Sequence, residues 1–514
     1  MTVLNDAPAP AGPAPMTRAQ IRQALSGLYL GIFVAILSST IVTNALPAIV
    51  ADLHAGQSVY TWIIIATLLA MTVSAPVWGK LADLVSKKLL IQLGLTIFTA
   101  GSVLSGLASD PALLIAARAV QGIGAGGLLA LIQVIIATMI PPRELGRYSG
   151  YFGAVLAVGT SAGPLLGGFI VDTGWLGWRW CFFVGVPFAV AALVVLQKTL
   201  HLPVAKRPAR IDWAGTTLLT AAASLLLLWV TFAGDKYAWL SWQTAVMLGG
   251  TVLLSLVFVL VERRAKDPVL PLWLFRSRTI VLAIGASLVI GIALYAASTF
   301  LSQYFQVAEG QSATRSGLLA LPLILSLAVA STIGGRIITT TGRWKPVLVA
   351  GSLLITLGLG VLGLTRDGTA YWQLSIGMGL LGLGLGTTLQ NLVLAVQNSV
   401  NPSELGSASS SVAFFRTLGG TIGVSALGAV LAGQVSRYTS DGLAALGVPA
   451  VSGGSSPRPA DLPAPVRVVV EGAFGHATGN LFLYAAPLAL IALVCILFIR
   501  EVPLRTSNVV RDEP

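Results

Sequence analysis

Charge is what this sequence has least of. Only 10% of its 514 residues are Asp, Glu, Lys or Arg, against 55% hydrophobic, and the mean hydropathy is +0.85. A soluble chain of that length needs a charged shell, so a soluble globular protein is excluded. Cysteine is nearly absent: Cys181 and Cys495 both fall in apolar runs, which leaves no loop pair for a disulfide. The three histidines, His54, His201 and His476, stand far apart and lack metal-ligand spacing. No nucleophile elbow, phosphate loop or metal cluster is visible, so the chain does not read as an enzyme, no metal site is expected and no cofactor is implied. Alternating ten-residue strands are missing too, which argues against an outer-membrane barrel.

What the chain does have is repeated apolar runs of about 20 residues. They define an all-α polytopic membrane protein with about fourteen spans, at 25–50, 60–82, 88–108, 111–140, 147–171, 180–198, 213–233, 243–261, 279–307, 315–340, 346–365, 371–398, 409–432 and 481–499. Residues 1–24 include a Pro/Ala-rich stretch and read as a disordered tail with no separate cleavable signal peptide. Residues 501–514 read as a second tail. The segment from about 433 to 480 reads as a long extracellular loop. Its Gly/Pro/Ser stretch is followed by VRVVVEGAFGHATGN, a short helix or hairpin, and the loop is either a spacer or an element of gating or assembly.

The net charge of +12 does not call for nucleic acid. With the N-terminus inside, about 22 basic residues fall on the cytoplasmic side and about 7 outside. That bias puts both termini in the cytoplasm of a multi-pass plasma-membrane protein. One guanidinium escapes the pattern. Arg118 sits inside the apolar run that starts at Pro111, with Gln121 one turn on. A charge in hydrocarbon is costly, so it must face a protein interior or a wet cavity and find a partner. Asp110 and Pro111 supply that helix with an N-cap and an N1 proline.

The chain also repeats itself. GKLADLVSKK, Gly79 to Lys88, recurs about 256 residues later as GRIITTTGRWK, Gly335 to Lys345. Each has a glycine, a short turn and a basic cluster. This predicts an N-terminal six-helix half at 25–200, a linker with two extra helices at 201–278, and a C-terminal six-helix half at 279–500.

These motifs resemble the major facilitator superfamily, in particular its fourteen-span drug/proton antiporter branch. Gly79, Leu81, Asp83 and Lys88 match the family's first-loop pattern, with Ser86 in place of a second glycine. Arg118, Gln121 and Gly122 match a second pattern. GTSAGPLLGG places Gly159, Gly163, Pro164, Gly167 and Gly168 in register with the motif of antiporters, whose physical content is close helix approach and a backbone break. LSSTIVTNALP fits the first span through Thr40, Ala45, Leu46 and Pro47, but Ser38 stands where an aspartate is usual. WRWCFFVGVP fits a further signature, with Gly185 where asparagine is usual.

The resemblance implies a major-facilitator fold of two six-helix bundles plus two inserted helices. It implies an exporter of hydrophobic or amphiphilic drugs or antibiotics, run as a proton-coupled antiporter with alternating access. The proton gradient would be the energy source, and the partners would be protons, a small amphiphilic substrate and the lipid bilayer around a monomer. Gly79, Asp83 and Lys88, with Gly335, Arg343 and Lys345, would form cytoplasmic latches, and Arg118 would take part in proton transfer. The alternatives are a uniporter or symporter of a small organic nutrient, or a non-transporting membrane sensor.

None of the 19 acidic residues falls in the middle of a predicted span, although a buried carboxylate is the usual proton carrier. Arg118 is then the one evident ionised group in the membrane, and the coupling candidates are Arg118 with Asp172, Asp212 and Glu309 at span ends. Candidate substrate contacts are Thr40, Asn44, Trp62, Gln121, Gln133, Tyr295, Gln303, Tyr304, Gln390, Asn391 and Gln397, each equally open to a helix-packing role. Tyr295, Phe300 and Tyr304 would form an aromatic wall. An uncharged lining of this kind argues for neutral or weakly basic amphiphiles.

Overall fold

The structure, a computed structural model, describes residues 17–54, 57–173, 176–200, 202, 212–234, 236–447 and 463–505. Of the expected tails at 1–24 and 501–514, residues 1–16 and 506–514 lie outside the described residues, as does the centre of the expected loop, 448–462; the rest of the first tail, from Arg18, is helical. The helices follow in order: α1 Arg18–Asp52, α2 Gln57–Leu84, α3 Lys87–Gly106, α4 Pro111–Met139, α5 Pro142–Asp172, α6 Trp180–Phe183, α7 Gly185–Thr199, α8 Trp213–Phe232 and α9 Trp242–Glu262. After a 3-10 turn at Leu272–Arg276 come α10 Arg278–Gln303, α11 Ala313–Leu319, α12 Leu321–Thr341, α13 Lys345–Leu362, α14 Tyr371–Asn398, α15 Leu405–Ala445 and α16 Ala464–Phe498. Thirteen of the described segments are long and apolar enough to cross a membrane. The 31-residue α5 occupies the place of the fifth expected span. The protein is an all-α polytopic membrane protein.

The sequence punctuates these helices where the chemistry requires. Asp110 caps α4 by accepting from Leu113 N at 3.0 Å, with Pro111 as first helical residue. Ser241 and Ser312 cap α9 and α11 in the same way. Gly342, at φ 73°, closes α12 in the left-handed conformation that glycine adopts without penalty.

The two halves pack as copies. In the first, α2 and α3 pack on α4, and α1 packs on α5 and α7; in the second, α12 and α13 pack on α14, and α10 packs on α15 and α16. The halves meet along two seams that a twofold rotation would exchange, α2 against α15 and α5 against α12. The inserted pair α8 and α9 pack on each other and lie over the first seam only. There Leu219, Ala223, Leu227 and Phe258 share a cluster with Phe414, Leu418 and, from α2, Leu69 and Val73.

The helix ends differ most from the expectation in one segment, and α1 also starts earlier, at Arg18 within the expected tail. The segment expected as a loop at 433–480 is largely helix, because α15 runs 41 residues and α16 starts at Ala464. VRVVVEGAFGHATGN is the first part of α16. A hydropathy boundary marks where apolar residues stop, but a polar helix continues past it when its side chains find partners. Arg437 pairs with Asp441 and Arg467 with Glu471 at (i, i+4) spacing. Asn480 Nδ2 donates to Tyr438 Oη at 3.0 Å, tying the two helices together.

Candidate functional site: latch, cavity and two arginines

One end of the bundle carries Lys80, Lys87, Lys88 and the C-terminal segment, and is called the basic face below. There Gly79 and Gly406 bring α2 and α15 together. A Cβ on Gly79 would collide with Ser410 Oγ and lie 2.7 Å from Gly406 O, and a Cβ on Gly406 would lie 2.5 Å from Asp83 Oδ1. One turn beyond Gly79, Asp83 reaches the first turn of α15. Its Oδ1 accepts from Gly406 N at 2.7 Å, and its Oδ2 accepts from Ser407 N at 2.8 Å and Ser407 Oγ at 2.7 Å. Those amides are orphan donors at the positive end of a helix, so a carboxylate satisfies both needs at once. Lys80 adds a 3.8 Å ion pair to Asp267, in the stretch after α9. Lys88 instead donates to Gln197 O of α7 within its own half.

The second copy of the motif is not wired across the halves. Gly335 is buried in α12 and Arg343 is exposed. The backbone N–H groups of Trp344 and Lys345 donate to Glu501 Oε1 at 2.8 and 3.0 Å, Trp344 Nε1 donates to Val502 O, and Lys345 Nζ donates to Leu497 O. The segment 501–505 is thus a strap over the basic face. Arg505 continues it, donating through Nη2 to Gln397 O and Val400 O at the end of α14, while Arg143 N of α5 donates to Arg505 O at 3.3 Å. Burial lowers the pKa of Arg505 from its ordinary value, and carbonyl acceptors take its protons in place of water.

Just inside the latch lies a cavity of about 40 Å³ between α1, α4, α5 and α14, lined by Gln133, Gln390, Asn391 and Gln397 with Tyr29 and Tyr148 among others. It is sized for water, far below the several hundred Å³ of a drug site. Gln397 Nε2 donates to Ser409 Oγ at 2.9 Å and to Gln133 O at 3.4 Å, joining α14 and α15 to α4. Gln133 Oε1 and Asn391 Oδ1 are buried there without a partner among the described residues. These bonds, with the latch and the strap, tie helices of both halves together at the basic face.

Four of the expected substrate contacts, Gln133, Gln390, Asn391 and Gln397, are brought together in this cavity. The others disperse. Thr40 Oγ1 donates to Gly159 O at 3.3 Å and fills the groove above Gly163, where a Cβ would collide with it. Trp62 packs on Phe232 of α8 with ring centroids 5.6 Å apart. Gln303 is exposed. The aromatic wall does not form. Tyr295 lies against Gly420 and Phe300 near Gly428 on α15, whereas Tyr304 opens the wide turn at Tyr304–Ala308. Its hydroxyl then donates to Glu309 Oε1 at 3.0 Å. The side chains of Asn44, Pro164 and Asp172 lie outside the described residues. In the rest of the α5 glycine motif, Gly167 is buried and Gly168 meets Thr314 Oγ1, its added Cβ falling 3.0 Å away.

Arg118 is 5% exposed and answered locally. It donates through Nη1 to Gln121 Oε1 and lies 5.9 Å above the Phe182 ring, with Ile63 O at 3.5 Å from Nε. Gln121 Nε2 passes the chain on to Ser102 Oγ at 2.6 Å. Gly122 explains the glycine of the motif, because a Cβ there would collide with Thr67 O, and Thr67 Oγ1 donates to Arg118 O. Two of the three departures from the family pattern meet. Ser38 Oγ is buried without a partner among the described residues, and it is 2.8 Å from where a Gly185 Cβ would be.

Of the coupling candidates with described side chains, Glu309 is exposed at the face opposite the basic one. Asp212 caps α8, its Oδ1 accepting from Gly215 N at 2.9 Å. Asp212 Oδ2 and Glu262 Oε2 crowd together over Gly215, neither with a hydrogen-bond donor among the described residues, while Glu262 Oε1 accepts from Leu270 N at 2.6 Å. Glu262 is 3% exposed, so it belongs beside Asp212 as a candidate that the sequence placed in a loop.

Arg118 is not the only charge within the bundle. Arg416 lies in the fourth turn of α15, inside the expected span 409–432, and is half-buried. The sequence expectation missed it because charges were assigned to the two sides of the membrane and those inside spans were not counted separately. The same count shows it: the arginine interrupts an otherwise uncharged run from Leu405 to Val435.

The model of the family described as the Major Facilitator Superfamily matches residues 28–424. The chain belongs to that superfamily. It is 34% identical to the multidrug transporter protein MdtP of Bacillus subtilis, over 82% of this chain and 77% of that protein. It is 31% identical to the efflux pump dotC of Dothistroma septosporum, over 96% of this chain and 86% of that protein. The solved structure of the proton:xylose symporter XylE superposes with a TM-score of 0.63, covering 95% of this chain and 97% of that one at 13% identity, which establishes the shared fold. The protein is a major-facilitator membrane transporter, not an enzyme.

Proposed function

We propose that this major-facilitator protein exports hydrophobic or amphiphilic drugs or antibiotics from the cytoplasm by alternating access, in exchange for protons. The observation that carries the reading is the Asp83 latch. It joins halves that otherwise meet along two helix seams, and in this reading it is the contact that must break for the basic face to open. Such a contact is reversible, since its donors and acceptors can each return to water. In this reading the positive-inside bias of the sequence orients the basic face to the cytoplasm. Relatives named as a multidrug transporter and an efflux pump support the direction and the substrate class.

The proton gradient is the energy source in this reading, and no cofactor is needed. Arg118, Asp172, Asp212 and Glu309 remain the coupling candidates, and the Asp212–Glu262 pair adds two facing carboxyls at one end of the inserted helices. Two carboxyls without a cation between them favour holding one proton between them.

The test is uptake of a fluorescent dye by inside-out vesicles with and without an imposed pH gradient. The reading expects uptake that the gradient accelerates and a protonophore collapses. Uptake that ignores the gradient in an active preparation overturns proton exchange. Substrate movement only in the inward direction overturns export in favour of a nutrient carrier.

A further inference from the structure

The residue that the mechanism leaves unused is Arg416. Its position on α15 fixes where it points. Ser409, Ala413, Arg416 and Gly420 recur at helical spacing and share one face of the helix. That face is interior at both ends. Ser409 accepts from Gln397 of α14, and a Cβ on Gly420 would collide with the ring of Tyr295 on α10. At Arg416 itself the α10 and α15 backbones touch, since a Cβ on Gly291 would collide with Arg416 O. The guanidinium therefore sits inside the bundle, roughly 16 Å along α15 from its start at the basic face.

It has no anion to answer it. Among the described residues no carboxylate pairs with Arg416, and the ionisable group close enough to act on it is the neutral phenol of Tyr295. Arg118, by contrast, is paired with Gln121 and a backbone carbonyl and covered by Phe182. A half-buried guanidinium with five donors and no acceptor among the described residues, in a low-charge interior, must turn to water or to something else that supplies the acceptor. A planar fork of donors matches a carboxylate in two-point contact. The flat face of Tyr295, held against Gly420, supplies an apolar shelf beside it.

We infer that Arg416, with Tyr295, forms an anion-binding subsite in the transport path, and that the preferred substrates are amphiphiles bearing a carboxylate. This rests on the export reading above and specifies its substrate. It replaces the neutral or weakly basic amphiphiles that an uncharged lining suggested.

The test uses the full-length protein reconstituted in liposomes and three probes with one fluorophore: dansyl-aminooctanoic acid, its methyl ester and the corresponding terminal amine. The wild-type KM for the acid is expected to lie at least about tenfold below that for the ester. Arg416→Gln should lower kcat/KM for the acid by about tenfold or more and leave the ester within about twofold, and Arg416→Lys should restore most of the acid's transport. Equal KM values for acid and ester in the wild type overturn the subsite without need of any variant. Equal loss of both substrates in Arg416→Gln, unrelieved in Arg416→Lys, also overturns it, as a packing role. Transport of ester or amine but not of acid overturns the subsite and leaves export standing. Transport of none of the three overturns the export reading, and the subsite with it.

Discussion

Asp83 shows how much one side chain does at the closed face. Its two oxygens accept three hydrogen bonds from the first turn of α15, across the junction of the halves. Asp83→Asn keeps the shape but loses the charge and one acceptor, which costs about 1.5–3 kcal/mol of latch stability. In a background with Ser409→Cys, labelling by a membrane-impermeant maleimide from the basic side should therefore rise about tenfold or more; an unchanged rate would mean that the latch does not hold this face shut. At the other face Asp52 accepts from Trp178 Nε1 at 2.8 Å and from Arg179 Nη1 at 3.2 Å. Those bonds, the Trp178 one first, hold its carboxyl below the ordinary range. A depressed carboxylate contributes stability that is complete above its unfolded pKa of about 3.9 and is lost as pH falls through the folded value. The melting temperatures of wild type and Asp52→Asn should differ at pH 6 and converge as the pH drops below about 4; a gap that persists in acid would assign the effect to packing.

At the scale of the helix, small residues set the approach distances. Gly163 gives α5 room for Thr40 of α1, whose single O–H has Ile36 O, Leu37 O and Gly159 O as acceptors within reach and gains nothing by swinging away. Gly163→Ala should cost about 1–3 kcal/mol by overpacking, read as a lower melting temperature in detergent. Gly360→Ala on α13, where an added Cβ meets nothing within 4 Å, should leave it unchanged or slightly raised. If both substitutions behave alike, close packing is not the role of the motif glycine. The motif was legible in sequence because glycine spacing is itself the packing code. The ends of α15 and α16 were not, since Arg437, Asp441, Arg467 and Glu471 read as loop residues until their (i, i+4) pairing is seen.

For the whole molecule, the sequence made the repeat visible through Gly79 to Lys88 and Gly335 to Lys345, and the pairing of helices in each half repeats accordingly. It could not show that the two copies do different work. Asp83 has an aspartate's reach to the other half, whereas the second copy carries Thr339 at the matching place and ties down the strap through Trp344. Nor could it assemble Gln133, Gln390, Asn391 and Gln397, because they lie on helices far apart in the chain. Arg416 was legible and simply required that charges within spans be counted with the rest.

Rocking of one half against the other is the claim on which export depends, and distances across the basic face test it directly. Spin labels at Leu89 and Arg343, both exposed and in opposite halves, report that separation by double electron–electron resonance once Cys181 and Cys495 are replaced. A pair at Leu89 and Arg147, within one half, is the control. Under transporting conditions the account predicts a second, longer distance for the first pair and an unchanged distribution for the second. A single unaltered distance across the halves while substrate is being moved would contradict it.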